Sequence, residues 1–511
     1  MRSRAVCTGA NSTGIRPSLR IQTCIHPVNP IDHHVLKVLQ SKASPRSLVQ
    51  RSGFIRRVFL DVIGTLPTTD EATAFQDDSN PDKRARLIDT LLERPEFNDY
   101  WAMKWCDILR VKSEHPINLW PNGVQAYHQW IRHSLAADMP YDQMARLMLT
   151  SSGSSFRVPQ VNFYRAVQGQ NPTSIAAAVA LTFMGTRLET WQPQDSTNLE
   201  KFFSQVTYKA TAEWKEQIVL NNPAPRQAIK SKFPDGKTVV IADGNDPRVV
   251  FADWLIGEDN PWFARCISNR IWAWLLGRGI IHEPDDIRPD NPPVNPALLE
   301  YLEKELVKSN YSLKHLYRLI LNSRTYQQSS IARGDSAQAT QYFAVYGIRP
   351  MEAEVLTDAL IALFGTTVEY ESPIPEPFTY IPPTQRTVAL ADASISSAFL
   401  ELFGRPSRDT GLMSERSIQP TDAQRMYLLN ASQIQNRLTS STQLRRWTQP
   451  VKGKPNQWVD NIYQAMLSRK ATNAEIAAIN NYIKQAKTST RDASLDLAWA
   501  IINSKEFQYK H

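Results

Sequence analysis

The stretch from Asn260 to Pro296, NPWFARCISNRIWAWLLGRGIIHEPDDIRPDNPPVNP, decides how the chain reads. Ile267, Ile271, Trp274 and Leu275 recur at helical spacing, so an apolar helix runs straight into a loop dense with charge and proline. Gly277 and Gly279 can take the left-handed conformations that end a helix, and Pro284, Pro289, Pro292 and Pro293 stiffen the loop beyond them. Ordering such a loop costs entropy, so its Arg278, Glu283, Asp285, Asp286, Arg288 and Asp290 are expected to find partners.

Helical signals continue outward from that stretch. The run DKRARLIDTLLER carries Leu87, Ile88, Leu91 and Leu92 on one stripe, and Tyr100 to Val111, Val124 to Ala137 and Tyr141 to Leu149 share the same pattern. Strand-like runs are few. The clearest, Lys237 to Ile241, lies between Asp235-Gly236 and Asp243-Gly244 and suggests a small hairpin in a polar, proline-rich stretch that begins near Asn221. The expected fold is therefore mainly α and multi-helical, with two domains and a small β-hairpin near their junction. The first domain spans residues 31–220, the linker and hairpin 221–246, and the second domain 247–511. Pro373, Pro375, Pro377, Pro382 and Pro383 predict a long loop at 370–383.

Residues 1–30 carry Arg2, Arg4, Arg16 and Arg20 without a continuous apolar core, and they read neither as a secretory signal nor as folded structure. Two expectations stay open: a cytoplasmic protein, or a start that lacks the native export signal. The longest apolar stretch, Ile175 to Met184, is too short to cross a bilayer.

A faint internal repeat is visible. Val58-Phe59 leads through Thr68-Thr69-Asp70-Glu71 to Leu91-Leu92 and Pro95-Glu96-Phe97. Ile462-Tyr463 leads through Thr472-Asn473-Ala474-Glu475 to Ile501-Ile502 and Lys505-Glu506-Phe507. Each copy holds a T-x-x-E capping box, and the ending recurs a third time at Ile320 to Tyr326. Generic helical-hairpin grammar explains the pattern as well as duplication does; either way the repeat is structural.

The chain of 511 residues carries a net charge of +8, but its basic residues are scattered. The excess suits an acidic polymer such as sulfated or uronic polysaccharide and gives little support to nucleic acid. Four cysteines, Cys7, Cys24, Cys106 and Cys266, form no metal, haem or disulfide framework. Cys106 and Cys266 fall in aromatic helices and read as small core residues.

Neither a G-x-S-x-G nucleophile nor a phosphate-binding loop nor H-E-x-x-H occurs, so no metal or cofactor is expected. Two polar concentrations compete for a role. His282, Glu283, Asp285 and Asp286 could ligate a metal or act in acid–base chemistry, but the favoured reading is a rigid loop whose acids pair with Arg270, Arg278 or Arg288. In LFGRPSRDTGLMSER, Leu402 to Arg416, the arginines Arg405, Arg408 and Arg416 could grip an acidic ligand. The segment, which also holds Asp409 and Glu415, could equally bolt two domains together; with Arg and Asp so close in sequence, a structural ion-pair network is favoured. Most of the thirteen tryptophans, Trp101 and Trp105 among them, are expected in the core.

Taken together, FIRRVFLDVIGTLPT, PDKRARLIDTLLERPEF and YWAMKWCDILRV in the first half, and DPRVVFADWL, NRIWAWLLGRGIIHEPDDIRPDNPPVNP, LKHLYRLILNSRTYQ, FGRPSRDTGLMSER and AWAIINSKEFQYKH in the second, resemble a planctomycete cytochrome-type domain followed by a planctomycete surface-type domain, as found in Planctomycetes and Verrucomicrobia. Many relatives carry a haem-attachment-like C-x-x-C-H shortly after the segment that is Phe183-Met184-Gly185-Thr186-Arg187 here. This chain passes from Leu188-Glu189-Thr190 to Trp191 and lacks it, so covalent haem and electron transfer are disfavoured. The resemblance implies a periplasmic or cell-surface home, because relatives usually carry an export signal and look like envelope proteins, often encoded among sulfatase-like and polysaccharide-degrading proteins. The expected function is a component of a cell-envelope polysaccharide system that binds a partner protein or an acidic glycan. The alternative is a polysaccharide hydrolase or lyase using carboxylates of residues 283–290.

Overall fold

The computed structural model describes residues 29–40, 51–222, 227–332, 336–365, 367–417, 419–449 and 453–511. Helix takes 55% of the described residues and strand 6%, so the fold is mainly α, as the hydrophobic periodicity predicts. The expectation for the N-terminal segment falls almost wholly outside the described residues, which begin at Asn29.

Local chemistry sets the helix starts. Pro95, Pro121, Pro172, Pro247 and Pro296 each open a helix, where a missing amide costs nothing. Thr68 and Glu71 close a capping box before Thr69–Asp77, and Thr472 and Glu475 close another before Asn473–Ala486. The two copies share more than the cap. Arg94 bridges Glu71 at 2.7 Å and Glu96 at 2.5 Å, while Arg469 bridges Glu475 at 2.8 Å and Glu506 at 2.7 Å. Phe97 and Phe507 are buried behind these bridges.

One hydrophobic cluster runs from Ile31 to Phe507 and takes residues from both sides of 221–246. Aromatic rings make the join: Trp101 and Trp105, from the helix Pro95–Ile108, approach Trp274 of the helix Phe263–Leu276 at 5.6 and 6.0 Å. Trp101 also meets Tyr317 of Leu313–Leu321 at 4.2 Å. Cys106 and Cys266 are free and buried.

Strands are confined to small sheets. Ile229–Lys232 pairs antiparallel with Thr238–Ile241, the hairpin expected from Asp235-Gly236, with Gly236 at φ +94° in its turn. A three-stranded sheet in the order Gly153–Ser154, Gln217–Asn221, Val206–Ala210 was not anticipated. Arg349–Pro350 pairs with Tyr509–Lys510 and ties the chain's end into the body. Residues 370–383 contain no helix.

Two local features place the candidate site. Pro172–Val179 runs on into a π-helical turn, Ala180–Met184, which Gly185 ends at φ +64°. The helix Phe263–Leu276 ends on Gly277 at φ +80°. Gly279 does not adopt the left-handed geometry; it is needed for space, because a Cβ there would lie 2.1 Å from the Ile281 carbonyl oxygen.

Candidate functional site

The loop after Gly277 is clamped from below. Arg270 donates to Asp285 Oδ1 from Nε at 3.0 Å and from Nη2 at 2.7 Å. Its remaining N–H groups reach the Leu181 and Thr182 carbonyls of the π-turn. Asp285 Oδ2 accepts from the Met413 amide at 2.6 Å, so this one buried carboxylate ties three segments together. The Asn269 side chain exchanges two hydrogen bonds of 2.9 Å with the Ile281 backbone, and the Ile287 amide donates to the Gly185 carbonyl at 2.8 Å. Ordering the loop therefore consumes Arg270 and Asp285.

The loop's other charges face outward. Arg288 lies between Asp286 at 3.1 Å and Asp290 at 3.3 Å. His282 stands 3.6 Å from Glu283 across a cis peptide bond. Burial, and then the Arg278 charge, lower the His282 pKa from its ordinary value, leaving the imidazole neutral at pH 7. Burial likewise lowers Arg278, against the pull of Glu283.

The 402–416 arginines find their acids far away in sequence and not in Asp409 or Glu415. Arg408 donates from Nε to Asp107 Oδ1 at 2.9 Å and from Nη1 to the Ala391 carbonyl at 2.8 Å. Arg416 donates from Nε to Asp107 Oδ2 at 2.9 Å and forks onto Glu354 at 2.6 and 3.0 Å. Arg405 Nε lies 3.4 Å from Glu354 without hydrogen-bond geometry, and its Nη atoms bind the Ile395 and Asp392 carbonyls. Burial pushes the Glu354 carboxyl up, but Arg416 and then Arg405 outweigh it and hold the pKa at about 2. The acids beside those arginines in sequence serve elsewhere. Asp409 pairs with Lys112 at 2.8 Å, and Glu415 accepts from the amides of Asp409 and Thr410 and the hydroxyls of Ser407 and Thr410. Asp409 is taken by Lys112 and Glu415 by the amides and hydroxyls of its own turn, while Asp107 and Glu354 are buried acids that need counter-ions.

A second ionic cluster lies deeper. Glu352 receives Lys104 at 2.5 Å and Lys510 at 2.7 Å, and Asp61 receives Arg349 at 2.6 Å together with the Tyr326 and Tyr346 hydroxyls. Burial drives Lys104 down to about 8 even though Glu352 opposes it.

Beside the clamped loop lies an open cleft of about 600 Å³. Pro289, Pro292 and Pro293 form its rim, Trp191 and Trp262 supply indole surfaces, and Arg265, Arg288, Asp195 and Asp290 bring charge. Trp191 is oriented by its Nε1 donating to Thr186 Oγ1 at 2.6 Å, and Arg265 is braced by Glu303 at 2.8 Å. Among the described residues no cluster of His, Cys, Asp and Glu could hold a metal ion, and no helix is long and apolar enough to cross a membrane.

Residues 30–208 match the family model PSCyt2, a protein of unknown function (DUF1549), and residues 247–483 match PSD1, a protein of unknown function (DUF1553). The chain carries a PSCyt2 domain followed by a PSD1 domain. No curated protein and no solved structure matches it. The cleft is thus composite: PSCyt2 gives Trp191 and Asp195, and PSD1 gives Trp262, Arg265, Arg288 and Asp290. The upper ion network also crosses the boundary, with Asp107 of PSCyt2 gripped by Arg408 and Arg416 of PSD1.

Of the residues singled out in sequence, only Arg288 and Asp290 line the cleft; Arg270, Asp285, Arg405, Arg408 and Arg416 are buried in structural pairs. Trp191, Asp195 and Arg265 were missed as site residues, and no local motif marks them. Asp107 and Glu354 were missed as the acids of the network. A signal existed for both: each acid is flanked by apolar residues within a helix, Asp107 by Cys106 and Ile108 and Glu354 by Ala353 and Val355.

Proposed function

We propose that the chain binds an acidic polysaccharide of the cell envelope in the cleft between its PSCyt2 and PSD1 domains. The observation that carries this reading is the pairing of two indole surfaces, Trp191 and Trp262, with two arginines, Arg265 and Arg288, behind a rim fixed by three prolines. Indole faces stack on the apolar faces of sugar rings, and guanidinium forks match carboxylate or sulfate substituents. A stiff rim lowers the entropy lost on binding. Binding is favoured over turnover because three of the four carboxylates of residues 283–290 are paired with arginine: Asp285 with Arg270, and Asp286 and Asp290 with Arg288. The location outside the cytoplasm rests on the family resemblance alone.

The test is calorimetric titration of the full chain with a sulfated polysaccharide and a polyuronate, alongside Trp191→Ala and Arg288→Gln. Each variant is expected to weaken binding by about ten-fold, the scale of a lost charged hydrogen bond or aromatic contact. Equal binding by wild type and both variants refutes the reading, and steady release of reducing ends from either polymer would replace binding with hydrolysis.

A further inference from the structure

Thr186, Thr190 and Trp191 wall the cleft, whereas Arg187, Leu188 and Glu189 wall a second cavity of about 370 Å³. Its far side is the loop Asp409 to Leu412. Arg110 is 4% exposed and lies just beyond the helix Pro95–Ile108 in a left-handed conformation, φ +57°. Its Nε donates to the Ala166 carbonyl at 3.1 Å, but among the described residues its Nη2 has no hydrogen-bond partner. Arg187 reaches the same cavity, and its Nε is also buried without a partner among the described residues. Gly411 lies directly over the first guanidinium: a Cβ there would sit 2.6 Å from Arg110 Nη1 and 2.7 Å from the Ile108 carbonyl, so glycine lets the loop close on it.

Among the described residues no acid nearby makes a direct ion pair with these cations, although the Glu415 charge acts on Arg110 from a distance. Asp409 is held by Lys112 and by the Ser407 hydroxyl at 2.8 Å, Glu415 is spent on its own turn, and Glu189 is an exposed residue of the wall. A guanidinium enclosed by protein and carrying one of its several hydrogen bonds is an incomplete ion site. The remaining surface is apolar, from Val167, Ala177 and Leu181.

We propose that this cavity binds an oxyanion, a carboxylate or sulfate group borne on a small solute, between Arg110 and Arg187. The guanidinium forks suit either group, and the apolar wall suits the body that carries it. This site is separate from the glycan cleft and stands whether or not the cleft binds sugar.

The experiment titrates the full chain with sodium sulfate, sodium phosphate, sodium acetate and sodium glucuronate at constant ionic strength, reading calorimetric heats and melting temperature. A saturable one-to-one response is expected. Arg187→Gln should weaken it about ten-fold or more, the scale of a lost charge-assisted hydrogen bond, and Glu189→Gln should tighten it about two-fold or more by removing a repelling charge. Trp191→Ala should leave it unchanged. Acetate bound more tightly than glucuronate would place the apolar wall against the carrying group; equal affinity for the inorganic ions would make it a free-ion site, and either result supports an oxyanion pocket. A response that does not saturate, or that is identical in wild type, Arg187→Gln and Glu189→Gln, overturns the proposal. Arg110→Lys is a further check only if its melting curve stays cooperative, since Arg110 also holds the Ala166 carbonyl.

Discussion

Removing Arg416 tests whether the ion network between the domains holds the molecule together. The side chain is 8% exposed and makes three charged hydrogen bonds, one to Asp107 and two to Glu354. Arg416→Met leaves Asp107 with Arg408, but leaves Glu354 facing only Arg405, at 3.4 Å and poorly aligned. Breaking a buried pair from one side costs about 3–5 kcal/mol, because the carboxylate stays dehydrated without its counter-ion. With an unfolding entropy of roughly 2 cal/mol/K per residue, a chain of 511 residues changes its melting temperature by about 1 °C per kcal/mol, so a fall of about 3–5 °C is expected. Glu354→Leu/Arg416→Met removes both charges and should recover about half of that loss or more, because an apolar pair of similar volume avoids desolvating ions. Calorimetry together with tryptophan fluorescence reads both effects. A shift under about 1 °C for Arg416→Met, or a double variant whose cost equals the sum of the two single costs, would refute the reasoning.

Acid should weaken the protein through the same network. The folded pKa of Glu354 is held at about 2 against an ordinary 4.5, so its contribution, on the order of 3 kcal/mol, is complete above pH 4.5 and is lost as pH falls towards about 2. Glu352 is also lowered, with Lys104 and Lys510 outweighing its burial, and adds in the same direction. Melting temperatures between pH 7 and pH 3 should fall more steeply for wild type than for Glu354→Gln; parallel curves would remove Glu354 from the acid response. Thiol chemistry gives another check: burial raises Cys106 to about 12 and Cys266 to about 11, so a Cys7→Ser/Cys24→Ser variant should show no reaction with an aromatic disulfide at pH 8 until it is denatured. Rapid native labelling would contradict the packing around both. Finally, Gly404 sits at φ +85° with the Ser417 carbonyl 2.4 Å from where a Cβ would be, so Gly404→Ala should cost roughly 1–3 kcal/mol in denaturant unfolding. No change in midpoint would mean that the turn relaxes freely.

What the sequence made legible was whatever is encoded within one helical turn or one tight turn. The caps at Thr68 and Thr472, the hairpin turn at Asp235-Gly236 and the stop at Gly277 each depend on residues at most a few positions apart, and each is formed. The sheet that includes Val206–Ala210 and Gln217–Asn221 escaped because its strands are short and half-exposed and lack strict alternation; Lys209 and Asn221 look like loop residues until the partner strand is present.

The candidate site was less legible for a reason that Arg416 makes concrete. Read along the chain, its nearest acids are Glu415 and Asp409; in the fold its carboxylates come from helices at positions 107 and 354. Sequence proximity predicts an ion pair only where backbone geometry lets the two side chains meet: Arg94 and Arg469 reach the capping acids Glu71 and Glu475, whereas Glu415 is filled by the amides and hydroxyls of its own turn. The arginines of this proline-bounded turn reach outward instead and plug a distant acidic socket. The socket has its own mark, an acid set among apolar residues, as in YWAMKWCDI, where Asp107 lies beside Cys106 and Ile108 and shares a helix with two fully buried tryptophans. Pairing such acids with arginine-rich turns is the inference that would have joined Asp107 to Arg408 and Arg416. Arg110 fits no such pairing: it lines the cavity beside Arg187 and makes no direct ion pair with an acid among the described residues, which is why an added anion, and not another side chain, is the proposed partner there.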